Sequence, residues 1–477
     1  MRLTLREQVL LGLGVVLVLI TGFVTAQSFL VSAALLALFA VVVVVGNPIA
    51  AILSFIGVSV FLSIRSKPTT TEAGGAIDAI LGLLLISICA YWVIKFRLIE
   101  RRTLNFSLAQ LLLAMFLLWG ILVTVFAVGA NEADSTTGVR ELLNLSPLFI
   151  LPILYERFVE TDSRAEHLIF AAIVCSGLVV LVANILMLKN HIAAAYYLFE
   201  TGRGNLDIPL APFMILIAAS YLMYETRAWK AAFAIVFLLV ESVGVVASVS
   251  RNMYIATPIV IAVVLLLGTP RERMRGMKRL LVAGAVGLLV AVPVYLRSRL
   301  VRLLIANYTR SFVSAQKAST DLSLLNRFAE WKGEWLGIQD SPIIGHGFGS
   351  QFRFFDIIQH HHHWSPFSHS SYLYIVYKTG FPGGLLFFAA FALFMIKGYR
   401  LARSRSLAPR TLITIRAGFG FMIIILFCAY LGPVFDTKTD MVWLGLVWGY
   451  FLAVERSERL SKSSSVSPHQ SIEIATA

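Results

Sequence analysis

Six of the nine histidines in this 477-residue chain fall within residues 345–384, GHGFGSQFRFFDIIQHHHHWSPFSHSSYLYIVYKTGFPGG. Of these, His369 has the setting best suited to moving a proton. It follows Ser368, a candidate N-cap, so the sequence places it in the first turn of a helix beginning at SHSSYLYIVYKTGF. The helix dipole there disfavours an added positive charge, and an imidazole kept neutral near pH 7 accepts a proton. The competing reading is an interfacial histidine bonded to backbone. His346, between Gly345 and Gly347, is a second candidate base. His360 to His363 are consecutive, and neighbours on one strand or helix cannot all point at one ion. They read as a solvated loop, and no Cys or carboxylate spacing supplies a zinc site.

Two arginines stand at candidate helix ends: Arg203 in ETGRGNLDIPLAPF and Arg251 in SVSRNMYIATP. Each is either a snorkelling side chain or, together with Arg327, part of a clamp that binds phosphate through the planar guanidinium fork. Glu241, ten residues before Arg251, is expected roughly 15 Å deeper along the same helix, as a buried partner or a protonated acid. One base plus an arginine clamp, with no paired carboxylates, suits transfer of a sugar from a lipid diphosphate. Diphosphate leaves without a proton donor once its charge is neutralised, and only the acceptor hydroxyl needs a base.

The elements that must position these groups are membrane helices. The chain is 58% hydrophobic and 14% charged, with a mean hydropathy of +0.81, and runs of roughly 17–25 apolar residues recur along it. The expected spans are 8–24, 29–46, 48–64, 76–95, 108–129, 141–157, 167–188, 207–224, 229–248, 252–268, 279–296, 381–398, 411–432 and 438–455. These predict an all-α polytopic membrane protein with about 12–14 transmembrane helices and one long outer loop containing amphipathic helices. The opening MRLTLREQVLLGLGVVLVLITGFVTA reads as an uncleaved first helix. The net charge of +14 comes from clusters between apolar runs, such as KFRLIERR and RERMRGMKR, which mark cytoplasmic loops rather than a nucleic-acid surface. With the N- and C-termini cytoplasmic, ANEADSTTG, residues 298–380 and GPVFDTKTD all fall on the opposite side. Cys89, Cys175 and Cys428 lie in apolar runs and indicate neither a disulfide framework nor a thiol metal site.

The organisation expected is a transmembrane bundle over 1–297, a large outer loop over 298–380 carrying His369, C-terminal spans over 381–455, and a Ser-rich disordered tail over 456–477. No repeat relates the two halves, unlike many transporters. Within the loop, Leu324, Phe328, Trp331 and Trp335 recur at helical spacing, with Arg327, Glu330 and Glu334 on another face. That context assigns Glu330 and Asp340 to salt bridges or capping. Pro342, Gly345, Gly347 and Gly349 then impose a turn-rich passage that would wall one side of a pocket.

Three stretches in order, SRNMYIATPIVIAVVLLL, NRFAEWKGEWLGIQDSPIIGHGFG and SHSSYLYIVYKTGFPGGLLFF, resemble the O-antigen ligase and O-antigen polymerase superfamily of bacterial envelope glycosyltransferases. They match its Ser-Arg helix opening, its Arg…Trp…Asp-x-Pro-x-x-Gly-x-Gly loop and its His-Asn-x-Tyr-Leu…Gly-x-x-Gly helix, and TGRGNLDIPLAPF looks like its arginine-bearing loop. The resemblance spans residues 200–398. It implies an undecaprenyl-diphosphate-linked glycan as donor, lipid A-core or another glycan as acceptor, and a metal-independent inverting transfer without cofactor at the periplasmic face of the bacterial inner membrane. His369 then takes the base role, with Arg203, Arg251 and Arg327 on the donor diphosphate and His346 and Glu241 as secondary candidates. Ser370 stands where the family commonly has Asn, which bears on acceptor identity. A polymerase shares the donor chemistry, and a lipid-linked glycan transporter is the alternative from another class.

Overall fold

The computed structural model describes residues 106–158, 163–194, 210–247, 251–298, 302, 322–366 and 368–466, together with 49, 52, 53, 56 and 57. The leading helix, the spans expected before residue 104 and Arg203 lie outside the described residues. The elements below all belong to one compact unit, residues 56–67 and 105–477.

Twelve α-helices are described: α1 (Leu108–Gly129), α2 (Ser135–Leu145), α3 (Pro147–Phe158), α4 (Ser163–Ala194), α5 (Leu210–Tyr224), α6 (Ala228–Ala247), α7 (Arg251–Leu266), α8 (Pro270–Arg297), α9 (Leu322–Asp340), α10 (Ser371–Ala402), α11 (Pro409–Ala429) and α12 (Lys438–Val466). A hairpin of β1 (Phe352–Asp356) and β2 (His361–Ser365) lies between α9 and α10. Among these, α1, the α2–α3 stretch Ser135–Glu156, α6, α8, α10 and α11 are long and apolar enough to cross a membrane. The chain is therefore an all-α, multi-pass membrane protein. Outward-facing side chains agree: Leu281, Leu288, Leu289 and Val290 on α8 are all exposed, a lipid-facing surface in a bilayer and an aggregating one in water.

Local chemistry explains where the helices begin and end. Ser107 and Gln110 form a capping box at the start of α1, and Thr269 and Glu272 form another at α8. The second corrects the sequence reading, because RERMRGMKR is the first turns of α8 rather than a loop. The tail reading also changes: α12 continues to Val466, eleven residues beyond the expected span, aided by an Arg459–Glu455 pair at i,i+4. Helix α12 packs closely on α3 through Gly445 and Gly449, where an added Cβ would lie 2.5 Å from the Pro147 carbonyl oxygen and 2.5 Å from Tyr155 Cβ. Where lipid removes any hydrophobic drive between helices, such close approach supplies the packing energy.

Loops gather at two ends of this bundle. At one end, Ala133 bridges to Ser350, Gly349 N–H donates to Glu141, and Ser371 bonds the 430–437 connection. The three segments that the charge pattern placed on one side thus meet in space. At the other end, Arg416 pairs with Glu272 at 3.2 Å and Lys397 with Glu455.

Candidate active site

The site is built around a short helix. Within α10 the backbone breaks at Gly380 (φ 67°, ψ 177°), which separates residues 371–379 from the longer membrane helix beginning at 381. Only glycine fits this break: its φ is left-handed, and a Cβ would lie 2.1 Å from the Ile343 carbonyl oxygen. The last carbonyls of the short helix are capped from outside. Tyr377 O accepts from His346 N–H at 2.9 Å, Lys378 O from Gly347 N–H at 2.9 Å, and Thr379 O from Trp119 Nε1–H at 2.8 Å. The glycine passage achieves this by placing Gly345, Gly347 and Gly349 in the left-handed region, so backbone can lie against backbone.

At the other end of the short helix the N-cap is Ser370, not Ser368, and the helix opens at Ser371. His369 therefore sits just outside the helix, and the group that orients it is Glu330 on α9 rather than the helix dipole. His369 Nδ1 lies 2.7 Å from Glu330 Oε2, and its backbone N–H donates to Glu330 Oε1 at 2.8 Å. Carboxylate oxygens only accept, so Nδ1 carries the ring proton and Nε2 holds the basic lone pair. The His369 side chain is 35% exposed and that of Glu330 is 4%. This is the base-and-orienter logic of a catalytic triad without its nucleophile.

Glu334, one turn after Glu330, is fully buried and accepts from Ser368 Oγ at 2.7 Å, while Ser368 Oγ accepts from Ser370 N–H at 2.9 Å. Burial drives the Glu334 carboxyl well above the usual range; the Ser368 bond lowers it, the neighbouring Glu330 raises it and Lys378 lowers it. The inward face of α9 is thus its polar one. Glu330, Glu334 and Ile338 point into the protein, while Phe328, Trp335 and Leu336 are exposed and Trp331 packs on Tyr430 beside the end of α11. The amphipathic period was legible in the sequence, and the reading of Glu330 as a salt-bridge or capping residue holds in form, with His369 as its partner. A carboxylate recurring at i,i+4 beside small residues (Ala329, Gly333, Gly337) was the available signal for a buried polar face.

The remaining candidates are placed as follows. His346 stacks on Tyr377 with ring centroids 4.6 Å apart, and its Nε2 donates to Gly337 O at 2.8 Å, tying α9 to the short helix. Glu241 is buried within α6, with neither carboxylate oxygen partnered among the described residues. It does not share a helix with Arg251, since α6 ends at Ala247 and Arg251 opens α7. The Arg251 side chain lies outside the description. Arg327 is half-buried on α9, one turn before Glu330. The consecutive histidines form the turn and outer strand of the hairpin: His360 has a left-handed φ of 56° and His361, His362 and His363 are exposed. Among the described residues no three His, Cys, Asp or Glu side chains gather to hold a metal ion.

Beneath the site lies a buried ion pair. Lys378 Nζ is 3.0 Å from Glu141 Oε2 and donates to Ser350 O at 2.7 Å, and both side chains are buried. Glu141 also takes the Gly349 N–H at 2.7 Å, so one charge pair joins α2, the glycine passage and the short helix. Asp436, on the connection before α12, accepts from Asn144 and Tyr374. Burial and the Glu141 charge push its carboxyl up to about 7, against the pull of Lys378.

Residues 233–388 match the O-antigen ligase family. Over those residues the match supports the O-antigen ligase superfamily. The matched region runs from α6 into the membrane helix after Gly380, so it contains α9, the hairpin and the entire Glu330–His369 arrangement. The superfamily is one of membrane ligases and polymerases of the glycosyltransferase type acting on lipid-linked glycans. No curated protein matches the chain.

Proposed function

We propose that this protein moves a preassembled glycan from an undecaprenyl-diphosphate carrier onto lipid A-core or a similar acceptor, at the periplasmic face of the bacterial inner membrane. The observation that carries the reading is the Glu330–His369 contact, which fixes the tautomer whose Nε2 is basic. The acceptor hydroxyl attacks the anomeric carbon, the carbon–oxygen bond to diphosphate breaks, and the hydroxyl proton passes to His369 Nε2. Glu330 then faces an imidazolium, as the orienting carboxylate of a triad does. Arg203, Arg251 and Arg327 neutralise the departing diphosphate in this reading, which makes a proton donor unnecessary. Residues 298–380 form the periplasmic part, with both termini in the cytoplasm.

The test is reconstitution of the purified protein in proteoliposomes with lipid-linked glycan and lipid A-core. The expected result is glycan joined to the acceptor with one undecaprenyl diphosphate released per transfer. Repeat units joined to one another on the carrier identify a polymerase instead. Lipid-linked glycan crossing the bilayer with no new bond overturns the enzymatic reading.

A further inference from the structure

Two glutamates one helical turn apart on α9 hold the three-residue turn Ser368–Ser370, and they hold it differently. Glu330 takes both the backbone N–H and the ring Nδ1–H of His369. Glu334 takes the hydroxyl of Ser368, which in turn takes the N–H of Ser370, the N-cap of the short helix. One oxygen of Glu334 is committed to this chain, and the other, Oε1, is buried with no hydrogen-bond partner among the described residues. A carboxylate in that position would leave a charged oxygen unsolvated beside a second carboxylate, a costly arrangement with no compensating bond.

The surrounding charges bear this out. Glu334 is faced by Glu330 from its own helix, by Lys378 and Tyr377 from the short helix, and by Ser368 from the turn. Lys378 is committed to Glu141 and Ser350 O. Burial raises the Glu334 carboxyl and the Glu330 charge adds to it. Two like acids in one site divide their roles by environment.

We propose that Glu334 is a positioning residue for His369 that works as an uncharged acid: it fixes the Ser368–Ser370 turn and leaves the charge to Glu330, the carboxylate bonded to the imidazole. The inference rests on the reading of His369 as the base. Ionised Glu334 would place a second negative charge near the imidazole, favouring its protonated form and removing the lone pair that takes the acceptor proton. The raised carboxyl sets the sign: as pH rises through the Glu334 titration, the new charge repels Glu330 and loosens the Ser368–Ser370 turn, and transfer falls.

Glu334→Gln keeps the shape and the acceptor for Ser368 but cannot ionise, whereas Glu334→Ala removes the contact. In the proteoliposome assay Glu334→Gln retains transfer within about threefold of the unsubstituted protein at pH 7 and lacks its alkaline fall. Glu334→Ala lowers kcat by about tenfold or more, with the KM values for both substrates little changed. A measurement without turnover accompanies these. Diethyl pyrocarbonate acylates neutral imidazole, and mass spectrometry of the His369 peptide against pH gives its titration. Glu334→Gln is expected to leave the His369 acylation midpoint unchanged, because neither side chain is charged while the imidazole titrates. A Glu334→Gln protein as impaired as Glu334→Ala, a fully active Glu334→Ala, or an unchanged alkaline limb in Glu334→Gln each overturns the proposal. Failure of the transferase reading shows differently, as absence of transfer in the unsubstituted protein with the His369 acylation profile still unaltered by Glu334→Gln.

Discussion

Glu330→Gln is expected to leave the protein folded in the membrane and to lower transfer by about 10²–10⁴-fold. Glu330 accepts two hydrogen bonds from His369, one from the backbone N–H at 2.8 Å and one from Nδ1 at 2.7 Å. A glutamine offers one acceptor oxygen and one NH₂ donor, so whichever way the amide turns, one of those two groups of His369 meets a donor. Relief comes by moving the ring proton from Nδ1 to Nε2, which eliminates the basic lone pair facing the acceptor. The loss therefore appears in kcat, with donor and acceptor KM little altered, because the side chain acts on the imidazole and not on either substrate. Steady-state kinetics in proteoliposomes, with a thermal melt to confirm folding, measures it. A Glu330→Gln protein within threefold of normal turnover would show that the contact is structural only.

Lys378→Met carries the largest expected effect on stability. Lys378 and Glu141 are both buried, so removing the ammonium strands a carboxylate that cannot reach water, a loss of about 3–5 kcal/mol. Replacing both partners, as Lys378→Met with Glu141→Gln, leaves no stranded charge and keeps an acceptor for Gly349 N–H, so most of the loss is recovered. The pH dependence has a definite sign. The Asp436 carboxyl is raised to about 7 in the folded protein from an ordinary 3.8, so the folded state holds the extra proton. Its favourable contribution is complete below the ordinary value and is lost as pH rises through about 7. Lys378 opposes that rise. Without it the loss deepens, and the gap in thermal midpoint between Lys378→Met and the unsubstituted protein widens from pH 5 to pH 8. Equal gaps at the two pH values would contradict this.

How much of this was legible in the chain depends on which interactions are local. The first described span, 108–129, was readable to the residue because its apolar run is bounded by a capping box at Ser107 and by Gly129. The membrane helix starting at 381 was readable because Gly380 and Pro382 punctuate the pattern. His369 was singled out for a local reason that the structure replaces. The sequence supplied a helix dipole; the fold supplies Glu330, thirty-nine positions away. No spacing rule joins those two residues, because the contact forms only once α9 folds back over the short helix. The Lys378–Glu141 pair, separated by 237 positions, was invisible for the same reason. On α9 the helical spacing separated an aromatic face from one bearing Arg327, Glu330 and Glu334. In a protein whose surroundings are lipid and interface, the aromatic face turns outward and the buried face carries the acids.

The most direct test of the central claim is single-turnover transfer by His369→Ala in proteoliposomes, with lipid-linked glycan and acceptor both saturating. The account predicts that the variant inserts, binds donor as the unsubstituted protein does, and forms product at less than about one-hundredth of its rate. Product formed at the normal rate would contradict it, and with it the assignment of His369 Nε2 as the group that takes the acceptor's proton.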